Sequence, residues 1–131
     1  MPADHAYDYA LVRVVPRVDR GESMNAGVIL SCTDLEFLDA RIELDEPRLL
    51  ALDPTVDLDA VRAHLATIPR VCRGGPEAGP LGDLPQRGRF HWLVSPRSTI
   101  IQMSPVHTGR SVAPATILDN LLARMVRLPA R

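Results

Sequence analysis

The chain has 131 residues, 46% of them apolar, and a formal net charge of −1. That size and hydrophobicity fit one domain with one core and exclude a disordered chain. The near-zero charge excludes a global basic field for nucleic acid, and no apolar run reaches the ~20 residues of a membrane helix.

The N-terminus is polar and carries Asp4, His5 and Asp8. It lacks the basic start and apolar stretch of a secretory signal. The protein is therefore expected in the cytoplasm, with residues 1–6 as a frayed terminus of a single domain spanning 1–131. Residues 9–15 are rich in β-branched side chains and have strand length, and Pro16 ends them. Residues 18–27 are polar with glycines at 21 and 27, and read as a loop. Residues 28–32 form a second short strand. Thr33 and Asp34 offer a turn, and residues 35–44 form a third strand, with Ala40, Ile42 and Leu44 alternating. These three make an antiparallel meander.

The period then changes. Residues 46–52 read as a short helix with Pro47 in its first turn. Asp57 caps a second helix over about 58–68, where Leu58, Val61, Leu65 and Ile68 share a face, and Pro69 closes it. Residues 73–80 are a Gly/Pro loop, and residues 84–93 are a helix weakened by Gly88. Residues 99–103 are a late strand and 104–109 a turn-rich segment. Residues 115–128 are the clearest helix, with Ile117, Leu118, Leu121, Leu122 and Met125 as its stripe. The order predicts an α+β fold: an antiparallel sheet of about four strands, a meander of three plus one late strand, with helices packed on one face.

Cys32 and Cys72 each stand in apolar company and read as buried free thiols. Four histidines and two cysteines show no metal-ligand spacing, so no metal and no cofactor is implied. Asp57 and Asp59 are explained by helix capping and the helix dipole. All fifteen cations are arginines. High-GC codon bias accounts for the total, whereas particular positions can serve bidentate anion recognition.

Two polar segments could carry chemistry. In the first, Arg13 projects from the face opposite Val12 and Val14, and Arg17, Arg20, Glu22 and Asn25 crowd the following loop. Gly21 and Gly27 let backbone amides approach an anion, so a phosphate or carboxylate could bind there. The plain alternative is a hairpin loop with a local Arg–Glu network. The spacing matches neither the Walker pattern nor the dinucleotide fingerprint. In the second, Arg97 and Ser98 precede the late strand, and Ser104, His107 and Thr108 follow it. His107 could act as a general acid or base, or cap backbone groups in a Pro/Gly turn. Neither Ser104 nor Thr108 sits in a nucleophile-elbow pattern.

Residues 7–30, opening Tyr7-Asp-Tyr-Ala-Leu-Val-Arg and ending Val28-Ile-Leu, resemble the start of the bacterial domain-of-unknown-function family DUF3037. Ile68-Pro-Arg-Val-Cys-Arg-Gly-Gly-Pro, Ser95-Pro-Arg-Ser-Thr and Ser104-Pro-Val-His-Thr-Gly also resemble it, in order along nearly the whole chain. The resemblance implies no assigned reaction. Members are often encoded beside a HipA-like kinase-fold protein, which implies a partner or accessory role. The leading expectation is therefore a non-catalytic binding or accessory module, with that kinase-fold protein as partner. The alternative is a small enzyme or sensor that holds a phosphorylated or other anionic ligand through the arginine loop, with His107 as acid/base. A homodimer through short edge strands is a further expectation from base rates.

Overall fold

The computed structural model describes residues 3–97 and 99–129. Its sheet begins with β1 (His5–Val14) and β2 (Met24–Cys32), paired antiparallel from Asp8–Ser31 to Val14–Met24. A single 3-10 turn at Thr33–Leu35 leads to β3 (Phe37–Ile42), which lies antiparallel on β2. The late strand is two strands, β4 (Ile101–Met103) and β5 (His107–Ser111), both antiparallel to β1 along its other side. The order is β3-β2-β1-β4, with β5 paired directly to β1 on the same flank as β4, along its first half.

β2 starts four residues earlier than its composition predicts. A bulge explains why. Val12 faces Gly27 while Arg13 faces Asn25, so Ala26 is an extra residue. The slip resets the alternation. Met24 before the bulge, Ala26 within it and Ile29 after it then face the same core.

Among the described residues, four α-helices cover this sheet: α1 (Glu46–Leu52), α2 (Leu58–Arg73), α3 (Gln86–Val94) and α4 (Pro114–Leu121). Asp45 caps α1 by accepting from Arg48 N at 3.2 Å, and Asp57 caps α2 from Ala60 N at 3.1 Å. α2 runs through Pro69 to Arg73, past the predicted stop. A mid-helix proline costs about 3 kcal/mol. Burial of Val71 and Cys72 offsets it, and the Arg89 guanidinium takes the Val71 and Cys72 carbonyls at 3.0 and 2.5 Å.

The expectation that the helices lie on one face is corrected. Leu49, Val61, Leu65, Ile68, Phe90 and Leu93 of α1–α3 bury one face, with Val12, Val14 and Ile29. Leu118 and Leu121 of α4, with Leu122 and Val126 just beyond it, bury the other face against Leu11, Val28 and Leu30. The strand residues explain the two-sided cover. Ala10-Leu-Val and Val28-Ile-Leu are continuous apolar runs, which a sheet exposed on one side would interrupt with polar residues. The last predicted helix also changes character. After Leu121 it widens into a π turn, Leu122–Val126. Donors from elsewhere hold two of its carbonyls: Asn25 Nδ2 donates to Met125 O at 2.9 Å, and Arg48 Nη1 to Val126 O at 3.3 Å.

Candidate functional site

The loop between β1 and β2 closes on itself. The amides of Arg20 and Gly21 both donate to Arg17 O, at 3.1 and 3.2 Å, and Gly21 takes a φ of 72°, which a side chain would strain. Arg20 pairs with Glu22 across the turn. Arg17 reaches the α1–α2 connection, with its Nε 3.5 Å from Asp53 Oδ2 and its Nη2 donating to Thr55 Oγ1 at 3.2 Å. Asp53 is buried and also accepts from the Thr55 amide and hydroxyl at 3.0 and 2.8 Å. Arg17 thus fastens the hairpin to the helices. Asn25 fastens β2 to the π turn.

These contacts hold the Asp53 carboxyl below its ordinary value of 3.8, chiefly through the Thr55 hydroxyl and amide, with Arg17 adding charge. A carboxyl with a lowered folded-state value stabilises the protein above its unfolded value, and that stability is lost as pH falls through the folded value. Asp53→Asn should therefore be less stable than wild type at neutral pH, and the two curves should converge under acid. Thermal melts across pH 2–7 check this. A constant gap down to the lowest pH would contradict it.

In the second segment, Arg97 caps α3. Its Nη2 donates to Trp92 O at 2.7 Å and its Nη1 to Leu93 O at 3.1 Å, while the guanidinium stacks 4.2 Å from the Trp92 ring. Ser98 lies outside the described residues. Ser104 is buried at the break between β4 and β5, where its amide donates to Leu11 O at 2.9 Å and its Oγ accepts from Leu11 N at 2.8 Å. The predicted turn-rich 104–109 is thus a bulge followed by strand. Thr108 Oγ1 donates to Asp8 Oδ1 at 2.8 Å, and Arg87 holds the other carboxylate oxygen at 2.6 Å. His107 is exposed and faces Tyr9 across the strands, ring centroids 5.3 Å apart. Beside it Tyr7 lies across Gly109, where any Cβ would overlap the ring.

The register decides which of these meet. His107 pairs with Tyr9, whereas Gln102 pairs with Arg13. At about 3.3 Å per residue, Tyr9 and Arg13 are ~13 Å apart along β1, and the hairpin that follows Val15 begins ~20 Å away. Proton transfer needs hydrogen-bond reach or one intervening water. His107 and the loop arginines therefore do not form one acid–base and anion site. Thr108 stays with His107.

One arginine differs from the rest. Six described arginines are half-buried: Arg13, Arg41, Arg48, Arg87, Arg89 and Arg97. Five have acceptors: Asp39 and Asp119 for Arg41, Val126 O for Arg48, Asp8 for Arg87, and main-chain carbonyls for Arg89 and Arg97. Arg13 alone has no acceptor among the described residues. It lines a cleft of about 350 Å³ together with Val15, Val18, Gly21, Ser23, Gln102 and Met103. Arg13 and the loop were anticipated from sequence. Gln102 and Ser23 were not, because only the β1–β4 register puts Gln102 opposite Arg13.

Other chemistries find little purchase. Burial pushes the Cys72 thiol up to about 12, far from a reactive thiolate. Among the described residues, no three His, Cys, Asp or Glu side chains are placed to hold a metal ion. No described helix is long and apolar enough to cross a membrane.

Residues 9–126 match the family model described as protein of unknown function, DUF3037, and the chain belongs to that family. No curated protein and no solved structure matches the chain.

Proposed function

We propose that this DUF3037 member is a non-catalytic binding module whose ligand-facing group is Arg13, acting as an accessory to a partner protein. The observation that supports it is the isolated guanidinium. A guanidinium on a half-buried stem that meets no acceptor among the described residues leaves its N–H fork free for an incoming anion. Around Arg13 stand a hydroxyl, a carboxamide and apolar side chains, and among the described residues no acid or base lines the cleft. Binding without turnover is what this set can do.

The partner we propose is the HipA-like kinase-fold protein that the family resemblance implies. An edge-to-edge homodimer has less support, because the outer edge is split at Ser104 and Pro105 between β4 and β5. The opposite edge strand β3 carries Arg41, which is clamped by Asp39 and Asp119.

Co-expression of the tagged chain with a HipA-like kinase-fold protein tests the proposal. Co-elution through size exclusion is expected, and Arg13→Gln should weaken it. Failure of the two proteins to associate, in cells and when mixed pure, would remove the partner. Co-elution unaffected by Arg13→Gln would place the contact elsewhere.

A further inference from the structure

We propose that the Arg13 cleft takes a monocarboxylate carried on a small apolar group, as offered by a branched-chain acid or by the apolar last residue of a peptide. This rests on the reading of the cleft as the ligand-facing site and adds the class of ligand.

The first argument is charge. Among the described residues, Arg13 is the one charged group that lines the cleft. Arg17 and Arg20, the nearest loop cations in sequence, face Asp53 and Glu22. A single positive charge balances a single negative one. A phosphate near −2 is ordinarily met by several cations or by the amides at a helix N-terminus, and no helix starts in this loop. The planar guanidinium fork matches a carboxylate through two parallel N–H···O bonds.

The second argument is the lining. Val15, Val18 and Met103 supply apolar wall beside the charge. Val18 is half-exposed on the loop, and it would be covered by an apolar group attached to the carboxylate. A bare anion such as formate or chloride would leave that wall wet.

The third argument concerns the polar neighbours. Gln102 donates its Nε2 to Thr99 O at 2.9 Å, which leaves Oε1 as an acceptor. An acceptor beside an anion site suits a ligand with an N–H next to its carboxylate, as at the end of a peptide chain. Ser23 is exposed at the rim and can donate its hydroxyl to the second carboxylate oxygen.

Titration of the ¹⁵N-labelled protein with four probes tests this: N-acetylvaline, its uncharged amide, isovalerate and inorganic phosphate. N-acetylvaline is expected to shift the amide signals of Gly21, Ser23 and Gln102, and its amide to leave them in place. Arg13→Gln should weaken N-acetylvaline about tenfold or more, the loss of a charge-assisted pair. Gln102→Glu leaves Arg13 present but neutralised, and gives the same loss should the first variant fold poorly. Tighter binding of N-acetylvaline than of isovalerate assigns the source as a chain terminus. The reverse order assigns a free acid, and either upholds the carboxylate. Equal binding of the uncharged amide would overturn it. Phosphate binding more tightly than both carboxylates would also overturn it while leaving the cleft as the ligand site. No response in the cleft to any probe would remove the site itself.

Discussion

Leu118→Ala should lower the stability of the folded chain by about 2–5 kcal/mol, the range for truncating a fully buried leucine. Leu118 is wholly inaccessible and packs with Leu11, Val28 and Leu30. The cost has two parts, the lost transfer energy of the removed atoms and the cavity left behind. That cavity cannot collapse easily. β1 and β2 are held on their other face by α1–α3, so they cannot follow a retreating side chain without opening the first core. For a domain of this size, with total stability of about 5–15 kcal/mol, the loss is a large fraction. Urea unfolding followed by circular dichroism should show a lower midpoint at unchanged slope. A change within about 0.5 kcal/mol, as for a surface site, would mean that α4 does not close the second face.

That second face marks where sequence reading stops. The amphipathic stripe of Leu118, Leu121 and Leu122 is plain in the sequence, but a stripe states only that one side of a helix is buried. It carries no sign for the face of the sheet. The sign lies in the strands, where Val28-Ile-Leu is apolar on consecutive residues and so on both faces. Strand ends were hidden for a different reason. Met24–Gly27 looks like loop because Asn25 and Gly27 are poor strand formers. Asn25 is there to hold Met125 O, and Gly27 because a Cβ would collide with the Arg41 carbonyl and Ile42. β5 is polar throughout and exists because β1 supplies its pairing. α1 and α2 were legible because Pro47 in the first turn of one and the Asp57 cap of the other are local signals. The candidate site divides in the same way. Arg13 was legible as a guanidinium alternating with apolar residues. The roles of Arg17, Arg97 and Asn25 were not, because each holds an atom at least four residues away, as far as a hundred for Asn25.

Ser104→Ala should destabilise the protein by about 1–3 kcal/mol, the cost of stranding a buried backbone donor. The reason is the one-residue shift between β4 and β5. Residues 101–103 pair with β1 in one register, and residues 107–111 in a register displaced by one. At the break, β1 would lose a partner for the Leu11 amide. The Ser104 hydroxyl fills that place, accepting from Leu11 N at 2.8 Å and donating to Pro105 O at 2.9 Å. Alanine keeps the Ser104 amide bond to Leu11 O but removes the acceptor, in a spot too enclosed for bulk water. Hydrogen exchange at Leu11 should accelerate in the variant by more than at Val12 or Val14. Ser104→Thr retains the hydroxyl and should recover part of the protection. Binding of N-acetylvaline at Arg13 should be unchanged in both variants, since Ser104 does not line that cleft. If Ser104→Ala instead weakened binding at full stability, the serine would belong to the ligand and not to the sheet.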